Sequence, residues 1–213
     1  DYQEAMSRAK EAIKKGDRDG ALSELDQAAV LSPQKEEPYY LKGTLLFKDG
    51  KEKEAVEAFA QAIKINPESV DAWFALGRCL TGRGKYDEAL KAYNKLLEID
   101  RNNTDALFEK AYLLSEAELF DEALEVYDRI LEISPGDLDA SYEKAGVLYD
   151  MGELGAALEL YDYVIEQDPE DPDARFDRAN LLFEMKKLKE ARRDYEKAVE
   201  LDPDFEEAKK NLD

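Results

Sequence analysis

The chain contains no histidine, a single cysteine and, at a net charge of −21, too few cations to balance its acids. Without histidine the commonest metal ligand and general base are missing, and one cysteine cannot form an intramolecular disulfide framework. That cysteine, Cys79, stands beside Leu80 on the apolar side of a helical pattern with no partner base evident. A packed thiol is expected there rather than a nucleophile. No run of about 18 apolar residues occurs, so no membrane-spanning helix is expected. The charge of −21 repels a phosphate backbone, which argues against nucleic acid as a partner. The one basic cluster, Lys186, Lys187, Lys189, Arg192 and Arg193, has Glu184, Glu190, Asp194 and Glu196 interleaved and is expected to be a solvated surface or a second contact patch. Phosphate-cradling glycine loops and nucleophile elbows are absent too. The chain therefore reads as non-enzymatic, without metal or cofactor, and a soluble, cytoplasmic setting is expected. It opens at Asp1 without a methionine and ends within a helical pattern, as an excised piece of a longer protein would.

What is present is periodicity. Pro33, Pro67, Pro135, Pro169 and Pro203 fall on one 34-residue grid, whose unfilled point holds Arg101. A period of this length marks stacked two-helix units. It divides the chain into six frames, 2–35, 36–69, 70–103, 104–137, 138–171 and 172–205, followed by a short remainder.

The same kinds of residue recur at the same place in each frame. Place 8 holds Ala9, Gly43, Gly77, Ala111, Ala145 and Ala179, and place 20 is alanine in all six frames. Place 24 is bulky: Leu25, Phe59, Tyr93, Tyr127, Tyr161 and Tyr195. Small residues let paired helices approach to about 8–10 Å, and the large ones fill the space that is left. The first helix is expected over about 2–15, closed by Gly16, and the second over about 19–32, ending before Pro33. Turn glycines recur as Gly50, Gly84 and Gly152, whereas Glu118 and Lys186 occupy that place in frames 4 and 6, where the turns should be less relaxed. Phe205, Ala208 and Leu212 share one face of a closing helix over 205–213, which makes thirteen helices and no strand. The whole of 1–213 is expected to form a single array.

Trp73, Leu76, Gly77, Ala89, Tyr93 and the proline grid resemble the tetratricopeptide repeat, over residues 2–205. Frame 1 departs from the pattern with Ala5 in place of the tryptophan, and frame 3 lacks the closing proline. The resemblance implies an all-α, right-handed superhelical solenoid of antiparallel helix pairs with a C-terminal capping helix. It also implies that the first helices of the pairs line a concave face where protein partners lie.

On that expectation, place 5 lays an aromatic stripe along five frames: Tyr40, Phe74, Phe108, Tyr142 and Phe176. Such aromatics also pack simply on neighbouring helices. The charge is concentrated in frames 4 and 5, which carry −8 and −9 of the total. Of these acids, Asp105, Glu109, Glu116, Asp139, Glu143 and Asp150 are expected to face inward beside Phe108, Tyr112, Tyr142 and Tyr149. An acidic wall with aromatic platforms suits lysine and arginine side chains, through ion pairing and cation–π contact. The expected partner is therefore a protein or peptide with a basic segment. Arg78 also faces inward, where its expected counter-charge is an acid of the partner or Asp71 of its own frame. Asn180 is the sole match to the carboxylate clamp of the chaperone-tail binders, so the C-terminal tails of Hsp70 and Hsp90 are not expected partners. The competing expectations are a rigid spacer or self-association module, and a substrate-positioning region of a larger enzyme.

Overall fold

Thirteen helices and no strand make up residues 1–212, the described part of the computed structural model. The first unit of the chain, Asp1–Ala106, contains three antiparallel pairs: α1 (Tyr2–Lys15) with α2 (Arg18–Leu31), α3 (Glu37–Lys48) with α4 (Glu52–Ile65), and α5 (Val70–Gly82) with α6 (Tyr86–Ile99). Helix α7 (Thr104–Glu116) starts at the end of this unit. The second unit, from Leu107 on, holds the rest of α7 with α8 (Phe120–Ile133), then α9 (Leu138–Asp150) with α10 (Leu154–Gln167), α11 (Pro172–Glu184) with α12 (Leu188–Leu201), and the short α13 (Glu206–Lys210). Among the described residues no helix is long and apolar enough to cross a membrane.

Each repeat uses the same local devices. Five of the six first helices are capped by the residue just before their frame: the side chains of Asp1, Ser69, Asn103, Asp137 and Asp171 accept from backbone amides in the first turn, whereas α3 has no side-chain cap and carries Pro38 in its first turn. The loops before α5, α7, α11 and α13 are Asx turns, in which Asn66, Asp100, Asp168 and Asp202 accept from the amide two residues on. This explains why Arg101 can replace the grid proline without disturbing the register. Asp100 makes the turn whether or not a proline follows it. Trp73 and Arg175, one repeat position in two frames, both donate to the carbonyl of the proline six residues earlier, Pro67 and Pro169.

Gly16, Gly50, Gly84 and Gly152 close first helices with positive φ, and Glu118 (φ 57°) and Lys186 (φ 63°) are driven into the same conformation. The geometry is imposed by the closing hydrogen bonds, such as Leu119 N–H to the Leu114 carbonyl at 2.9 Å and Lys187 N–H to that of Leu182 at 2.9 Å. A side chain in the left-handed region costs about 1–2 kcal/mol, against the roughly 0.5–1 kcal/mol of extra chain entropy that glycine loses. Glu118→Gly and Lys186→Gly should each raise stability, by about 0.5–1 kcal/mol in urea titration. Gly152→Ala should do the opposite.

Within each unit the core runs between the helices of each pair and on to the next pair. Ala21, Ala55, Ala89, Ala123, Ala157 and Ala191 are all buried, and so are the place-24 residues Leu25, Phe59, Tyr93, Tyr127, Tyr161 and Tyr195. Cys79 is wholly buried, its thiol donates to the Glu52 carbonyl at 3.4 Å, and burial raises its pKa above the ordinary value. It is a packed thiol. Polar ties join successive repeats where a cation at place 7 meets an acid at place 25 of the preceding frame: Lys42 with Asp26, Lys144 with Asp128, and Arg178 with Asp162.

Two expectations need correction. Asp194 is not a solvated acid within the basic cluster; it is 6% exposed and bound by the Arg178 fork, because its place in the repeat faces the neighbouring helix and not water. The closing helix is also shorter than 205–213. Helix α13 spans Glu206–Lys210, the Phe205 at its N-cap offers no side-chain cap, and Asp213 lies outside the described residues. Ala208 is nevertheless buried and Leu212 packs on the Ala179–Tyr195 cluster, so the segment covers the last pair as its apolar spacing predicts.

Candidate functional site

Every aromatic of the place-5 stripe rests on the place-24 ring of its own pair. Centroid separations are 6.1 Å for Tyr40–Phe59, 6.0 Å for Phe74–Tyr93 and Phe108–Tyr127, and 5.8 Å for Tyr142–Tyr161 and Phe176–Tyr195. The tilted and edge-on geometries are those that aromatic quadrupoles favour. The stripe is thus held by the core yet half-buried, with part of each ring facing outward. Phe176 differs, since Phe205 packs against it at 4.8 Å and takes up its outer side.

In the first unit the stripe opens into a cavity of about 380 Å³ between α3 and α5. Tyr40, Thr44, Phe47 and Lys48 come from α3, Phe59 from α4, and Asp71, Phe74, Ala75 and Arg78 from α5. In the second unit a cavity of about 360 Å³ is walled by Phe108 of α7 and by Leu138, Asp139, Tyr142 and Glu143 of α9. Val164 closes one side, and Asp168, Asp171 and Asp173 line the approach to α11. Nearer the chain end, Tyr149, Asn180, Phe183, Glu184, Tyr195 and Asn211 surround a smaller cavity of about 310 Å³.

The acids of the second unit raise one another's pKa. Burial pushes the half-buried Glu143 up, and the charges of Asp139, Asp177 and Glu116 push it further. Asp177 is raised by burial and by Asp173 and Asp171, although the hydrogen bond donated by the Tyr142 hydroxyl pulls it back. Asp173 is raised by burial, then by Asp171 and Asp202. Tyr142 is itself held protonated, by burial and by Asp177. The Tyr149 hydroxyl donates to Glu184 at 2.9 Å and is pushed up to about 12 by burial and by that carboxylate. No group of three or more acids among the described residues is arranged to hold a metal ion, so mutual repulsion and not chelation is the chemistry of this cluster.

The sequence-predicted residues are distributed as follows. Phe108, Asp139, Tyr142 and Glu143 meet in the acidic cavity, Tyr40, Phe74 and Arg78 in the first-unit cavity, and Tyr149 and Asn180 in the third. Asn180 is engaged there, its Oδ1 accepting from the Tyr195 hydroxyl at 2.7 Å and from Asn211 at 3.3 Å. Asp105, Tyr112, Glu116 and Asp150 are exposed, and Glu109 is half-buried. Sequence reasoning missed Asp173 and Asp177 as members of the acidic cluster. They occupy the same places as Asp139 and Glu143, but their frame has a net charge of only −1 because the basic cluster of the following helix offsets it. Reading the first helices alone would have found them.

Sequence profiles described as tetratricopeptide repeat match residues 6–65 and 40–104, 110–176, and 148–212. Among solved structures, a tetratricopeptide repeat protein from Parabacteroides merdae is 21% identical with a TM-score of 0.79, covering 99% of this chain and 97% of that one. YrrB, described as a tetratricopeptide repeat protein with an unusual peptide-binding site, is 22% identical with a TM-score of 0.74, over 87% of this chain and 96% of its own. MamA from Desulfovibrio magneticus is 19% identical with a TM-score of 0.75, over 80% and 96%. At these identities the likeness is one of fold. No curated protein matches the sequence.

Proposed function

The chain belongs to the tetratricopeptide repeat family, and from that premise we propose that it is a non-enzymatic protein-binding scaffold whose second unit captures a basic segment of a partner protein. One observation carries the reading: the acidic cavity has no cation of its own. No lysine or arginine lines it. The cations of α9 and α11 are committed elsewhere, Lys144 to Asp128, Arg175 to the Pro169 carbonyl, and Arg178 to Asp194 and Asp162, and Lys110 of α7 does not line the cavity. Glu143 is left half-buried among like charges, a state that an incoming ammonium or guanidinium relieves. Phe108 and Tyr142 offer ring faces for the cation and its aliphatic stem.

A fluorescein-tagged peptide carrying the run Lys-Phe-Lys, titrated by anisotropy, tests this together with capture of partners from the source lysate. Asp139→Lys combined with Glu143→Gln should weaken peptide binding by about tenfold or more, equivalent to about 1.4 kcal/mol. Added salt should weaken the wild type by screening. Because the folded-state pKa of Glu143 is raised, acidification should erode affinity before ordinary carboxylates begin to titrate, and Glu143→Gln should flatten that early part of the profile. Equal binding by wild type and variant at all salt concentrations would leave the acids as mere solvation.

A further inference from the structure

The first-unit cavity takes no part in that reading, and its chemistry differs. Three repeats separate it from the corresponding positions of the second unit, so the two sets can be compared residue by residue. The aromatic walls are kept: Tyr40, Phe47, Phe59 and Phe74 correspond to Tyr142, Tyr149, Tyr161 and Phe176. Asp71 corresponds to Asp173. The other charged positions diverge. Lys48 stands where the second unit has Asp150, Arg78 where it has Asn180, and Ala75 where it has Asp177.

Ala75 removes a polar bridge between these helices. In the second unit the Tyr142 hydroxyl donates to Asp177 and bridges α9 to α11. In the first unit alanine has no such acceptor, Tyr40 makes no side-chain hydrogen bond among the described residues, and about 380 Å³ stays open between α3 and α5. That volume lies near the lower end of the range for ligand sites, enough for a bulky side chain but not a folded element. Tyr40, Phe47 and Phe74 are half-buried, with ring surface turned to this space. At the rim, Lys48 is exposed and makes no ion pair among the described residues. Asp71, on the facing helix, is the sole acid of the lining, whereas five acids line the second-unit cavity. At physiological ionic strength charges are screened beyond about 8 Å, so these local charges decide what the cavity accepts.

We propose that the α3–α5 cavity binds a bulky apolar side chain of an extended partner segment, flanked in that segment by a carboxylate that pairs with Lys48. The inference rests on the reading of this chain as a scaffold for an extended segment, but not on the basic character of the second-unit site. The partner would carry an apolar–acidic element in addition to a basic one.

The test is anisotropy titration of the intact chain with fluorescein-tagged peptides carrying Asp-Phe-Asp or Asp-Ala-Asp. The first should bind and the second should bind at least tenfold more weakly. Lys48→Glu, at an exposed position where folding is not at risk, should weaken Asp-Phe-Asp binding at least fivefold. Ala75→Asp, which installs the acceptor for Tyr40, should abolish it, with circular dichroism confirming the helical fold. Neither variant should change the affinity for the Lys-Phe-Lys peptide. Equal binding of the two acidic peptides, or indifference of Asp-Phe-Asp to Lys48→Glu, would overturn the proposal even if the basic peptide binds as expected. Loss of the basic peptide alone would overturn the preceding reading and leave this cavity standing.

Discussion

Asp194→Ala should cost the C-terminal repeats about 3 kcal/mol, the lower end of the range for removing one partner from a buried ion pair. Asp194 is 6% exposed and accepts both arms of the Arg178 fork, Nε at 2.7 Å and Nη2 at 2.8 Å. The low end applies because Arg178 keeps a second acid, Asp162, at 2.6 Å from Nη1. The guanidinium is thus left under-paired but not isolated. Replacing both members of the fork by apolar residues, Arg178→Met with Asp194→Leu, should recover part of the loss, since the desolvation of two charges is then avoided while Arg175, 3.7 Å from Asp194, still loses its acid. Repeat arrays need not unfold in one step, so hydrogen exchange is the more direct readout. Protection should fall first in α11 and α12 and stay unchanged in α1–α4. A uniform loss over the chain would mean that Asp194 acts through something other than this local clasp.

Tyr93→Ala should be the most destabilising single change in the first unit, at about 3–5 kcal/mol, the usual cost of emptying a large aromatic site. Tyr93 is fully buried and forms the floor on which Phe74 rests. Its ring also fixes Gly77, since a Cβ added there would come within 2.5 Å of the ring edge. Gly77→Ala should therefore destabilise the wild type by about 1–3 kcal/mol through overpacking, even though alanine is the better helix former by about 1 kcal/mol. In the Tyr93→Ala background the obstacle is gone, and Gly77→Ala should change sign and become mildly stabilising. Urea melts of the two single variants and the double variant form the cycle that measures this coupling. Additive effects would show that Gly77 is needed for its backbone and not for the ring. Gly43 and Phe59 make the same close approach, at 2.6 Å, and should behave alike.

These residues also mark how far the sequence reaches. Helix count, pair boundaries, capping residues and core rows follow from a 34-residue period, because each repeat meets only its neighbours and the same contacts recur at the same places. Gly77 with Tyr93 was legible as small against large, Glu118 and Lys186 as residues forced into a glycine turn, and Cys79 as a packed thiol. What the period cannot convey is the difference between two side chains at the same place. Asp194 looked solvated because its sequence neighbours are charged, yet the fold turns it toward Arg178 on the next helix. Asp177 was hidden by the cations of the following helix, which cancel its frame's charge without approaching its carboxylate. Ala75 carries no sequence signal of its own. Only the packing of α3 against α5 shows that it leaves a lysine-rimmed, aromatic-walled space where the second unit has a tyrosine–aspartate bridge. The sequence by itself determined the repeating scaffold, since periodic burial is a one-dimensional pattern. The tertiary structure alone decided which charges are paired and which are left for a partner, since pairing depends on distances between helices that the linear order does not contain.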